Sequence, residues 1–182
     1  GYRAGQPGRV LFNAAGDRAV MLNRGSEDVF LFDVTDNGNG GKDLTLGNVF
    51  PPRLGFAERA PLDTTTPMGD LPLGMTLVDD PTTTNDDSLL YIVNEVTRTL
   101  TTLRINWPTR AIFQESDQIP LLLNPDIFST SVRLGNEIFE DASRPQTTGN
   151  FNNSCASCHF EGGDDANVWQ RPAGPRSTMP VY

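Results

Sequence analysis

Residues Asp17 to Asn23 lead into Val29 to Val34, and Ser88 to Asn94 lead into Leu100 to Ile105. The two stretches align without a gap: Asn94 answers Asn23 and Ile105 answers Val34, each 71 residues on. Each stretch is a run of β-branched, aromatic and aliphatic residues, an Asn, a short polar turn, and a second such run. That is the signature of a β-hairpin. A further short strand candidate lies upstream of each, Val10-Leu11-Phe12 after Pro7-Gly8, and Met75 to Val78 after Pro72-Leu73-Gly74.

The connections between these strands are rich in Gly, Pro, Asp and Thr. Asp36 to Gly41, Asp63 to Pro67 and Pro81 to Asp87 read as inserted loops. Asp33, Asp36, Asn37, Asn39 and Asp43 surround the first of them with oxygens of the kind calcium takes. The spacing does not match an EF-hand, and a solvated hairpin loop is the reading adopted over a calcium site. Trp107-Pro108 to Pro125 reads as a linker. A helix is predicted from Ser131 to about Asp141, with Val132, Gly135, Ile138 and Phe139 on one apolar face and Glu137, Glu140 and Asp141 toward water. Gly135 would let another backbone approach closely.

The chain of 182 residues contains two cysteines and one histidine, and all three lie in Cys155-Ala156-Ser157-Cys158-His159. Cys-x-x-Cys-His is the attachment motif of a c-type haem. The two thiols add across the haem vinyl groups, and the adjacent imidazole becomes the proximal iron ligand. A redox disulfide would leave His159 without a role. A structural zinc site needs four ligands, and the chain holds no second Cys or His pair to supply them. A disulfide beside an unrelated surface histidine is the remaining alternative. One covalent haem c is therefore expected, with Cys155 and Cys158 as anchors and His159 as axial ligand. With a single histidine, bis-histidine ligation within the chain is excluded. Met179 is the candidate sixth ligand, against an ordinary packing role. Met68 and Met75 lie in a Pro/Gly-rich stretch from which a thioether could reach the iron, and Met21 reads as a strand core residue. Arg171 and Arg176 are candidate partners for haem propionates.

Leu90-Tyr91-Ile92-Val93-Asn94 and Val20-Met21-Leu22-Asn23 resemble the YVTN-type β-propeller repeat, over about residues 7–107. The usual blade period is about 40–45 residues, so the repeat here needs the inserted loops; two blades cannot close a ring, so either the chain is a piece of a longer one or the strands form an open sheet, against the alternative of a generic antiparallel β domain. Leu134-Gly135, Ile138-Phe139, Asp141, Ser143 and Ser154 to His159, then Gly162 to Asp165 and Pro175 to Pro180, resemble the haem domains of the di-haem cytochrome c peroxidase superfamily. The two resemblances imply a mixed fold: a β-rich, propeller-like antiparallel region at 1–107, a linker at 108–125, and a small α-helical, cytochrome c-like haem segment at 126–182. That family carries two haems, whereas this chain has one attachment motif. The short tail after His159 implies that a continuing chain or another subunit covers the haem.

The resulting expectation is a c-type cytochrome that mediates electron transfer. A peroxidase-like haem enzyme working with a second haem is the alternative, with Glu161 as its acid/base candidate, and a haem-stabilised propeller that binds a partner is another. The net charge of −9, with Lys42 as the single lysine, argues against nucleic acid, which needs clustered basic side chains. It suits a basic redox partner protein, against the simpler reading that it only keeps the chain in solution. No apolar run is long enough to span a bilayer. Haem attachment of this kind implies an exported, periplasmic or extracellular protein, and the start at Gly1 reads as that of a processed chain.

Overall fold

The computed structural model describes residues 7–50, 68, 69, 71–80, 82, 86–121, 128–141, 154–159, 163, 168–170 and 172–177. β1 (Pro7–Phe12), β2 (Arg18–Asn23), β3 (Asp28–Asp36) and β4 (Lys42–Phe50) form a four-stranded antiparallel sheet in chain order. β5 (Pro72–Asp79), β6 (Asp87–Asn94), β7 (Thr99–Asn106) and β8 (Ala111–Gln114) form a second sheet of the same order, and β9 (Ile119–Pro120) pairs with the other end of β7. Residues 108–125, read as a linker, thus contribute two strands. After them come α1 (Thr130–Glu140), a 3-10 turn at Cys155–Ser157, and a ribbon of β10 (Val168–Trp169) with β11 (Arg176–Ser177).

The 71-residue repeat is a structural repeat. Asn23 pairs with Asp28 across the β2–β3 turn, and Asn94 with Thr99 across the β6–β7 turn. Each Asn side chain closes its own turn: Asn23 Nδ2 donates to Asp28 Oδ1 at 2.7 Å, and Asn94 Nδ2 to Thr99 Oγ1 at 3.1 Å. Both turns end on a residue in the left-handed region, Glu27 and Arg98, each at φ 53°. The short polar segment after each Asn reverses the chain because its side-chain amide replaces the hydrogen bonds the turn cannot make.

Side chains alternate between the two faces of a strand. In the first sheet Val20, Leu22, Val29 and Leu31 share one face, here called the front, and Met21, Phe30 and Phe32 share the back. The front face packs in one core with Met75, Leu90, Ile92, Leu103 and Ile105 of the second sheet. By the repeat, Ile92 and Leu103 answer Met21 and Phe32, so those residues belong to the back face of the second sheet. The sheets therefore stack front to back. Trp107 (2% exposed) and Met68 (0%) complete the core, and Trp107 Nε1 donates to Ser88 Oγ at 2.8 Å. Polar ties cross the stack. Arg110 of the β7–β8 turn reaches Asp33 of β3 at 2.8 Å, and the buried Glu27 carboxylate accepts from the Leu71 backbone NH at 2.9 Å.

Among the described residues, the expected α-helical, cytochrome c-like C-terminal segment is not found. The described residues are 52% strand and 11% helix, and beyond residue 125 they hold one helix, one 3-10 turn and a short β-ribbon. The described residues form a mostly β structure built on two antiparallel sheets, rather than a β region followed by a helical domain. The reason is visible in composition. Pro145, Gly149, Gly162, Gly163, Pro172, Gly174, Pro175 and Pro180 interrupt the stretch after α1, and each costs about 1 kcal/mol (Gly) or 3 kcal/mol (Pro) inside a helix.

The face of α1 is also reversed. Glu137 and Asp141 are buried at 3% and 4%, while Val132 is 54% exposed and Ile138 37%. No atom lies within 4 Å of where a Cβ on Gly135 would sit, so that glycine admits no close neighbour. Ser129 caps the helix by accepting from Val132 N at 3.3 Å. The helix docks through polar contacts: Arg133 Nη1 donates to Val96 O at 3.4 Å, and Glu140 pairs with Arg24 at 3.4 Å.

Two tests follow from this packing. Leu103→Ala, at the centre of the shared core, should cost about 2–5 kcal/mol in denaturant unfolding. Asp80 is held at about 2, below its ordinary 3.8, first by the Thr82 hydroxyl and backbone NH and then by Arg104. A depressed carboxyl contributes stability above its ordinary range that is lost as pH falls toward 2. Asp80→Asn should therefore flatten the decline of unfolding stability between about pH 4 and pH 2.

Candidate haem attachment site

Ser154 to His159 form a single helical turn. Ser157 N donates to Ser154 O at 3.1 Å, Cys158 N to Cys155 O at 3.2 Å, and His159 N to Cys155 O at 3.0 Å. Ser154 and Ser157 cap the turn reciprocally, with Ser154 N donating to Ser157 Oγ at 3.0 Å. Residues three and four apart on a helical turn share one side. Cys155, Cys158 and His159 thus present two thiols and an imidazole to the same side of the chain. The turn packs against α1.

Both cysteines are free thiols and half-buried. His159 Nδ1 is buried and has no hydrogen-bond partner. A buried ring nitrogen left this way costs free energy comparable to a lost hydrogen bond, so the imidazole is held in place without a protein partner of its own. This donor set suits a covalent c-type haem: two thiols one turn apart to bond the vinyl carbons, and one imidazole beside them to ligate iron. Among the described residues no group of three or more His, Cys, Asp and Glu side chains converges as a metal site.

The other sequence candidates fall as follows. Met68 and Met75 are core residues between the sheets, at 0% and 5% exposure, so neither thioether is free to reach an iron at His159. Met21 is a half-buried strand residue. Met179, Glu161 and Arg171 lie outside the described residues, and Arg176 is an exposed residue of β11. In the Gly-rich loop, Asp33 is taken by Arg18 and Arg110, and Asp36 by Lys42. The Asn37 Oδ1 closes the loop on itself by accepting from Asn39 N and Gly41 N.

Sequence reasoning missed a cleft of about 610 Å³ between the second sheet and α1. Leu73, Val93, Val96, Leu121, Phe128 and Val132 form its apolar walls, and Arg98 and Arg133 its charged rim. Arg98 lies over the Phe128 ring at 5.7 Å. Cys155, Cys158 and His159 are not among its lining residues. The strand residues Leu73 and Val93 gave no sign of it, because a partly covered sheet face reads like any other alternating strand. The helix's exposed Val132 was the available signal.

At the C-terminal end of α1, Arg24 lies 3.4 Å from both Glu95 and Glu140. It ties the two repeat turns to the helix. Burial pushes the Glu140 carboxyl above its ordinary range, Arg24 draws it down, and Glu95 raises it again. No protein-family model, curated protein or solved structure matches the chain.

Arg24→Met should remove the charge contribution that lowers the Glu140 carboxyl. The Glu140 carboxyl should then titrate at higher pH in the variant than in the wild type, as followed by NMR, and an unchanged midpoint would show that Arg24 does not reach it.

Proposed function

We propose that this chain is a c-type cytochrome that passes electrons through one covalently attached haem. The observation that carries the reading is the capped turn at Ser154 to His159, with its two free thiols and a buried, unpartnered imidazole nitrogen on one side. Bound haem would supply the one-electron chemistry. The protein's own part is to anchor and orient. Cys155 and Cys158 would hold the haem through thioether bonds, His159 would ligate its iron, and Ser154 and Ser157 hold the turn in register.

The likeness of Ser154 to His159 to the haem stretch of the di-haem cytochrome c peroxidase superfamily supports attachment. The single motif favours a relay over a two-haem enzyme. Net charge of −9 favours a basic protein as redox partner, since opposite charge accelerates encounter. Further protein covering the haem edge, and an exported location where the thioether bonds are made, belong to the same reading. Met179 stays the candidate for the sixth position.

Expression in an export pathway that attaches haem c should yield one haem per chain. Acid-acetone treatment should leave the pigment on the polypeptide. Pigment in the organic phase, or unchanged attachment in the Cys155→Ala/Cys158→Ala double variant, would overturn the reading. The absorption spectrum then tests the role. Six-coordinate low-spin iron supports a relay, whereas five-coordinate high-spin iron with peroxide turnover well above that of free haem would assign an enzyme instead.

A further inference from the structure

The cleft between the second sheet and α1 is assembled from separate segments of the chain. Leu73 comes from β5, Val93 from β6, Val96 from the β6–β7 turn, Leu121 from the position after β9, and Phe128 and Val132 from the start of α1. Leu73 is the extra residue of a β-bulge: Pro72 pairs with Asn94 and Gly74 with Val93, so Leu73 has no partner in the ladder. A bulge re-aims a side chain. The Leu121 backbone NH donates to Arg98 O at 2.8 Å and fixes that segment to the turn. Leu73, Val93, Leu121, Phe128 and Val132 are exposed, whereas Val96 is buried. They are five of the fourteen large apolar side chains that are exposed among the described residues. Scattered singly, such side chains need no explanation; gathered around one cavity, they mark a binding surface. The volume of about 610 Å³ falls within the roughly 300–1,000 Å³ of small-molecule sites.

Charge identifies the occupant. The lining holds Arg98, Arg133 and Glu95, two positive charges and one negative. That is one net positive charge, on a chain whose total is −9. Including Arg24 and Glu140, which pair beside Glu95, leaves the same balance. Both lining arginines are half-buried, which strengthens their attraction for an anion. Contacts hold them in place: Arg98 lies over the Phe128 ring at 5.7 Å, and Arg133 Nη1 donates to Val96 O at 3.4 Å. A guanidinium carries five N–H donors in a fork that fits a carboxylate. One net charge matches a single anionic group, and Glu95 on the lining opposes a doubly charged one. We infer that this cleft binds a small amphipathic monocarboxylate, its apolar body against Leu73, Val93, Leu121 and Val132 and its carboxylate on Arg98 and Arg133. Cys155, Cys158 and His159 do not line the cleft, so this site and the haem motif are distinct sets of residues.

The test is a methyl NMR titration of the full chain with octanoate, octanol, octylamine and octyl phosphate, at mildly alkaline pH where the phosphate is a dianion. Octanoate should bind at one per chain and shift the methyls of Leu73, Val93, Leu121 and Val132. It should bind about tenfold or more tightly than the neutral alcohol, the cationic amine or the dianion. Arg98→Gln and Arg133→Gln should each weaken octanoate by about tenfold and leave octanol unchanged. Val93→Glu, at an exposed position, should abolish binding of both, with circular dichroism showing that the sheets are kept. Absence of binding, or methyl shifts elsewhere in the molecule, would overturn the site. Octanol or octyl phosphate binding as tightly as octanoate would overturn the monocarboxylate assignment. So would arginine variants that weaken octanol as much as octanoate, because they would then act by distorting the cleft rather than by removing a partner for the carboxylate.

Discussion

The front-to-back stack between the two repeat sheets is the contact on which the rest of the molecule depends. Val20, Leu22, Val29 and Leu31 from one repeat meet Met75, Leu90, Ile92, Leu103 and Ile105 from the other in a single core. A lone four-stranded meander has two faces and buries neither. Stacking buries one face of each, at about 25 cal/mol per Å² of apolar surface removed from water. The ties across the stack are polar and directional: Asp33 to Arg110, Asn48 Nδ2 to Arg110 O at 2.8 Å, and Glu27 to the Leu71 NH. They add register to an attraction that has no direction of its own.

The same stack decides where the haem-motif turn can sit. The two Asn-closed turns lie side by side, joined by Arg24 and Glu95, and Glu140 brings α1 to them. The motif turn packs on α1 rather than on the sheets. The candidate redox centre is therefore connected to the β-core through one helix, whose docking is mainly polar. Such a contact is more easily shifted than an apolar one, because its hydrogen bonds and ion pairs can be exchanged for water at small net cost. Gly69 shows the opposite regime within the core. A Cβ there would lie within 2.5 Å of the Thr97 hydroxyl oxygen, so no larger residue fits without moving the β6–β7 turn.

The hairpins were legible from residues alone because alternation, an Asn and a polar turn are local signals. The helix was legible as a helix, and its extent differed by one residue at each end. Its orientation was not. Val132 and Ile138 have the spacing of a core face, yet Glu137 and Asp141 are the buried side chains. Apolar periodicity identifies which residues prefer burial, but it cannot say whether the surface they meet offers a matching apolar face or the charge of Arg24. The strands at 111–114 and 119–120 were hidden for a similar reason. They are short edge elements, and they exist because β7 has hydrogen-bonding groups to pair.

Sequence by itself determined the repeat, the hairpins, and the grouping of every thiol and imidazole of the chain in one pentapeptide. These are matters of residue identity and spacing, which need no knowledge of the rest of the chain. Only the tertiary structure decided that the sheets stack front to back, that Met68 and Met75 are core rather than ligands, and that the described residues beyond 125 hold one helix rather than a helical domain. Each of these depends on which surfaces meet. Burial is a property of pairs of surfaces distant in sequence, and two faces of equal apolarity on one strand cannot be told apart until the partner is in place.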